Sequence, residues 1–208
     1  MSNIVNQNNK VELTGTINGG LKLIYEHRGE KFYRAYIEVD RLSGTKDVLP
    51  LNISERLVDV GKQYNGCLVR VAGEYRSYNH RDSEKPRLIL NVFVTEFEEI
   101  TENSDVNINE IQLDGFICKK PVHRTTPLGK EIADTILAVN RTGSDISDYI
   151  PCIAWKWNAD LLGSLKVGTR ITINGRIQSR VYHKRLSETE VKECVAYEVS
   201  IGRMKVIN

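Results

Sequence analysis

Along residues 168–182 polar and apolar positions alternate with the two-residue period of a β-strand. Ile171, Ile173 and Ile177 fall on one side; Arg170, Thr172, Asn174, Arg176, Gln178, Arg180 and Tyr182 fall on the other. The first face belongs in a core. The second carries three guanidinium groups and an aromatic ring in a row. Gly175 interrupts the run, as glycine does at a bend, bulge or barrel corner. Similar alternation predicts strands over 11–17, 21–25, 32–40, 47–53, 68–78 and 88–96, then 111–118, 132–141, 148–155 and 195–207. Helical spacing replaces it twice. Ser54 offers an N-cap ahead of Leu57, Val60 and Tyr64, closed by Gly66; Asn158 offers one ahead of inward-turned Leu161, Leu162 and Leu165.

The pattern repeats. Residues 9–17 match 109–117 at an offset of 100, and Val39, Asp40 and Arg41 match Val139, Asn140 and Arg141 at the same offset. Asp47 and Pro50 match Asp148 and Pro151 at 101. Gly66, Gly73 and Ser77 match Gly168, Gly175 and Ser179 at 102. An offset drifting by two residues, with each gain in a connection, describes two copies of one domain. The expected division is a disordered lead over 1–8, a divergent first domain over 9–98, an acidic linker over 99–108 and a second domain over 109–208. Each copy reads as five strands with a short helix between the third and fourth. That is the order of the OB-fold, a partly open barrel, so the fold class is all-β with two tandem OB-fold barrels.

Composition narrows the setting. No run of apolar residues is long enough for a membrane helix, and the polar start lacks the apolar stretch of a secretory signal, so a cytoplasmic protein is expected. Cys67, Cys118, Cys152 and Cys194 form no C-x-x-C pair and are expected as buried, reduced thiols; His27, His80, His123 and His183 are scattered. No metal site and no cofactor is predicted. The net charge is +2, divided as −2 over residues 1–108 and +4 over 109–208, which favours an anionic partner on the second copy. No nucleophile–base grouping, P-loop or paired carboxylate stands out, so an enzyme is the least supported class.

Binding a single nucleic-acid strand takes cations along the backbone track and rings on which bases stack. The second copy offers Arg124, Arg176 and Arg180 for phosphate and Tyr149, Trp155 and Tyr182 for stacking. Trp155 is as readily a core residue, and Trp157 is left unassigned. In the first copy Val48 and Ser54 replace Tyr149 and Trp155, while Tyr33, Arg70, Arg76 and Tyr78 remain as possible weaker contacts. Stacking and phosphate contacts are sequence-tolerant and leave RNA open beside DNA.

The order Asn109, Leu113, Gly115, then Pro121, Arg124, Pro127 and Gly129, then residues 137–141, 149–155 and 168–182, resembles the bacterial single-stranded DNA-binding protein family across the second copy. The resemblance implies sequence-independent single-stranded DNA binding in replication, repair or recombination, with Arg124, Tyr149, Trp155, Arg180 and Tyr182 at the family's contact positions. It also implies a nucleoid-associated homodimer with four OB domains. The family's acidic, aromatic-tipped tail has no counterpart in the stretch that closes this sequence, so enzyme recruitment through a tail is not expected. The competing reading is a protein-interaction accessory of a primosome or mobile replicon, in which one or both barrels serve assembly.

Overall fold

The computed structural model describes residues 8–80, 87–101, 107–185, 187 and 190–207. The first copy comprises β1 (Asn9–His27), β2 (Glu30–Asp40), β3 (Lys46–Ser54), β4 (Leu68–His80) and β5 (Arg87–Glu99). The second comprises β6 (Asn109–Ile117), β7 (Val122–Thr125), β8 (Glu131–Asn140), β9 (Ser147–Trp155), α1 (Trp157–Ser164), β10 (Arg170–Arg185) and β11 (Val191–Ile207). In each copy five strands close into a barrel: β1-β2-β3-β5-β4 returns to β1, and β6-β8-β9-β11-β10 returns to β6. Both barrels close through one short parallel contact, Leu51 and Asn52 beside Val92 and Phe93 in the first, Cys152 and Ile153 beside Val199 and Ser200 in the second. Inward-facing residues such as Leu13, Ile37, Leu51, Val71 and Val92, and their counterparts Leu113, Leu137, Cys152, Ile173 and Val199, fill the interiors.

Gly73 and Gly175 sit at matching barrel corners. A Cβ on either would lie 2.2 Å from a backbone oxygen, that of Phe93 or Ser200 respectively. The bulge that bends each barrel falls on the facing strand, where β5 and β11 each carry one extra residue.

Four expectations need correction. The strands expected over 11–17 and 21–25 are one continuous β1, which bends away from β4 and follows β2 to its end. Among the described residues the first copy has no helix. Residues 55–66 form turns, because Asp59 accepts a hydrogen bond from Gly61 N (2.9 Å) and turns the chain where a helix would have continued. Ser54 Oγ accepts from Arg56 N, and Tyr64 rather than Val60 is buried. In the second copy α1 forms, but its N-cap is Lys156 without a side-chain cap; Asn158 lies inside it and donates to Gly202 O at 3.1 Å. Ala159 and Leu162 point inward, while Leu161 is 41% exposed. The cysteines also divide: Cys152 is buried, Cys67 and Cys194 are half-buried and Cys118 is exposed. Residues 1–7 of the expected lead and 102–106 of the expected linker lie outside the described residues.

The copies join through their first strands. β1 and β6 pair antiparallel, Asn9 opposite Leu113, Val11 opposite Ile111 and Leu13 opposite Asn109, so a pseudo-twofold axis passes near Val11 and Ile111. Each edge therefore covers the other. A reciprocal clasp reinforces the joint. Asp148, 1% exposed, accepts from Arg141 Nε and Nη2 (2.9 and 2.8 Å) and from Ser77 N across the joint (2.6 Å), while Ser77 Oγ accepts from Tyr149 N (2.7 Å). Asp47 is fully buried and does the same with Arg41 and with Ser179 N (2.6 Å), and Val48 N donates to Ser179 Oγ (3.1 Å). Arg41 and Arg141 complete the exchange by donating to the carbonyls of Ser179 and Ser77, at 2.8 and 3.1 Å.

Candidate nucleic-acid interface

On β9, Ile150, Cys152 and Ala154 enter the core, which leaves Tyr149, Pro151, Ile153 and Trp155 on the opposite face. On β10, Ile173 and Ile177 are buried, which turns Arg176, Gln178, Arg180 and Tyr182 the other way. The short β7 lies along β8 and sets Arg124 opposite Ile132, whose other neighbour is Trp155. These four strands and β11 wall a groove of about 420 Å³ lined by Arg124, Asp134, Trp155, Arg176, Arg180 and Glu198, among others.

Trp155 is half-buried and donates from Nε1 to Ser200 Oγ at 3.2 Å, which fixes the indole plane across the groove floor. Carboxylates hold the guanidinium groups in place. Arg124 Nε donates to Asp134 Oδ2 at 2.8 Å, and Arg180 Nε lies 4.0 Å from Glu198 Oε1. Arg176 approaches Asp47 Oδ2 at 3.5 Å and Gln178 Oε1 at 3.4 Å. The side chains of Arg124 and Arg180 nevertheless remain 51% and 60% exposed, so an incoming phosphate can share or displace these contacts.

Four of the six predicted residues thus line one groove. Tyr182 does not; it lines the neighbouring cleft, linked to the groove by the Arg180 guanidinium 5.9 Å from its ring. Tyr149 is 47% exposed at the far end of the β9 face, outside the groove. Trp157 opens α1 and is 84% exposed. The neighbouring cleft, of about 610 Å³, lies between the copies and is lined by Tyr36 and Tyr78 from the first and Tyr182 and Tyr197 from the second, with Pro50 and Pro151.

Among the four residues singled out in the first copy, Arg76 and Tyr78 line a groove of about 580 Å³, together with Tyr25, Arg34, Asn52 and Phe93. Tyr33 does not, because it takes the side of β2 that carries buried Ala35 and Ile37, opposite to Arg34 and Tyr36. Arg70 lies elsewhere on β4, ion-paired with Glu12. Position-by-position comparison of the copies missed Tyr25, Arg34 and Phe93. Among the described residues no group of three or more His, Cys, Asp or Glu side chains gathers as a metal ion would need, and no helix is long and apolar enough to cross a membrane.

Comparison with known proteins decides the lineage. Residues 108–205 match the single-strand binding protein family. The second copy is a domain of that family, and the chain sets it in tandem with another OB-fold barrel. Within this single-strand binding domain the chain is 37% identical over 94 residues to single-stranded DNA-binding protein 1 of Staphylococcus aureus (strain COL), covering 40% of this chain and 56% of that protein. It is 36% identical over 95 residues to single-stranded DNA-binding protein A of Bacillus subtilis (strain 168), covering 41% and 55%. The chain thus spans little more than half the length of these curated relatives. The crystal structure of wild-type single-stranded DNA binding protein from Thermus aquaticus covers 96% of this chain and 93% of its own, with a TM-score of 0.72 at 20% identity. That likeness extends the shared all-β fold to both copies.

Proposed function

We propose that this protein binds single-stranded DNA without catalysis and largely without regard to sequence. Bases stack on Trp155, Tyr149 and Tyr182, and phosphates meet Arg124, Arg176 and Arg180. The observation that carries this reading is the gathering of Arg124, Trp155, Arg176 and Arg180 in one groove on a domain of the single-strand binding protein family. A half-buried indole fixed at its nitrogen offers one flat face at little entropic cost, and every base has a face to lay on it. In a duplex those faces are already stacked, so the groove suits an open strand. Replication, repair or recombination, in the cytoplasm beside the nucleoid, is the setting this reading implies.

The same reading includes a homodimer of four barrels. The outer sheet face at the β1–β6 joint carries Lys10, Glu12, Glu110, Gln112 and Arg203 around a depression of about 560 Å³. Charges of both signs beside a pseudo-twofold axis can meet their opposites on a second copy.

The test is titration with oligo(dT), oligo(U) and duplex DNA of equal length, followed by tryptophan fluorescence. The expected result is binding of oligo(dT) well ahead of duplex, and Trp155→Ala should weaken it by about 1–3 kcal/mol with the fold retained. Equal affinity for duplex would overturn the reading. Unchanged affinity in Trp155→Ala with a collapsed melting temperature would return Trp155 to the core.

A further inference from the structure

Strand register shows that the first copy has not lost its groove aromatic but moved it. In the second copy Trp155 of β9 and Ser200 of β11 meet across the groove floor, large over small. The register makes Ser54 of β3 the equivalent of Trp155, since Ser54 pairs with Phe32 as Trp155 pairs with Ile132. It makes Phe93 of β5 the equivalent of Ser200, since Phe93 pairs with Glu74 as Ser200 pairs with Arg176. One aromatic and one serine occupy the floor in both copies, on exchanged strands.

The rest of the first groove is built around that exchange. Arg76 lays its guanidinium over the Phe93 ring, with Cζ 4.0 Å from the centroid. Tyr25 stacks on Phe32 with centroids 4.8 Å apart, and it stands opposite Phe32 as Arg124 stands opposite Ile132, so a ring holds the rim position that a cation holds in the second copy. Arg34 takes the place of Asp134 and, among the described residues, makes no ion pair. No carboxylate lines this groove, although Glu74 beside it accepts from Arg76 Nε and Nη2 at 3.0 and 2.8 Å; Asp134 and Glu198 line the other. Asn52, 6% exposed on the groove wall, gives an amide hydrogen to the Tyr25 hydroxyl at 3.1 Å and keeps its Oδ1 buried with no hydrogen-bond partner among the described residues. Such an acceptor is one that folded proteins seldom leave unused.

We propose that the first copy is a second site for single-stranded DNA, with Tyr25, Phe93 and Tyr78 as stacking surfaces and Arg34 and Arg76 as phosphate contacts. The site rests on the reading of the chain as a single-strand binder. Arg34, Tyr78, Ile89 and Asn91 line both this groove and the tyrosine cleft, so the groove opens onto the cleft that holds Tyr182. A strand leaving the second groove past Arg180 and Tyr182 therefore enters the first groove without crossing open solvent. The two grooves on one rigid joint act as linked sites, which multiplies affinity for any strand long enough to fill both.

The experiment measures binding of the full chain to labelled oligo(dT) of about 12 and about 28 nucleotides, within the reach of one OB-fold and of two. The readout is the ratio of the two affinities. In the wild type the longer strand should bind much more tightly. Arg34→Glu, a charge reversal with no ion pair to break, and Phe93→Ala should each shrink that ratio about tenfold, while Trp155→Ala lowers both affinities. Should Phe93→Ala fail to fold, Arg34→Glu decides alone. A ratio in Arg34→Glu equal to that of the wild type would overturn the second site while leaving single-strand binding in place. A wild type that binds neither oligonucleotide would overturn both.

Discussion

Removing Asp148 should do more damage than its place on a surface strand suggests. Its side chain is 1% exposed and accepts two hydrogen bonds from Arg141 and one from the backbone of Ser77 on the other copy. Asp148→Ala leaves a guanidinium facing a vacated pocket and a buried N–H without an acceptor. Deleting one partner of a buried ion pair typically costs about 3–5 kcal/mol. The Arg141 side chain stays 23% exposed and keeps its bond to Ser77 O, so it rehydrates in part and the lower end, about 3 kcal/mol, is expected. Urea unfolding measures the loss through the shift in midpoint at constant slope. The informative control is the pair Arg141→Met with Asp148→Leu, which removes both charges. It should recover about half of the loss, leaving about 1–2 kcal/mol for the unpaired Ser77 N–H. A loss below about 1 kcal/mol in Asp148→Ala, or a double variant no better than the single, would refute the clasp as a source of stability.

Two further outcomes test the architecture. Gly175→Ala should destabilise the chain by about 3 kcal/mol, because its Cβ would sit 2.2 Å from Ser200 O, whereas Gly20→Ala, with nothing within 4 Å, should change the urea midpoint little. Sedimentation equilibrium at micromolar concentration without DNA should give twice the 23.7 kDa chain mass, and a value near the single-chain mass would defeat the homodimer.

Much of this was legible in the sequence, but in the form of anchors rather than reasons. Arg41, Asp47 and Ser77 mark the repeat together with Arg141, Asp148 and Ser179, and all six turn out to be the clasp: each copy supplies an arginine, an aspartate and a serine to a joint neither could close alone. The faces of β10 follow from alternation because one side is core, a constraint that acts locally. The moved aromatic does not follow, since Ser54 and Phe93 belong to the same floor only through the parallel contact of β3 with β5. The two copies also differ in hairpin length before β5 and β11, so the offset that aligns β4 with β10 fails one strand later. The missing helix has a local cause, but a competing one: Ser54, Leu57 and Tyr64 satisfy helical spacing, and the Asp59–Gly61 turn overrides it.

The net charge of each half does not describe the charge of its groove, for a physical reason. A net −2 on residues 1–108 and +4 on 109–208 describe whole domains, while a strand in a groove responds to the charges within about a Debye length that low-dielectric walls do not shield. The first copy sets no carboxylate among the residues lining its groove, although Glu74 beside it accepts from Arg76 Nε and Nη2 at 3.0 and 2.8 Å. The second sets Asp134 and Glu198 inside its own, against the arginines that phosphate must win. Each groove thus holds an arginine bound to a carboxylate, and the first adds Arg34, which makes no ion pair among the described residues. Aromatic supply divides the grooves more clearly: one tryptophan and four arginines line the second, while three rings and three arginines line the first. Two copies of one barrel have reached comparable grooves by different mixtures of stacking and charge, which is what sequence-tolerant binding permits, because neither term requires a particular residue at a particular strand position.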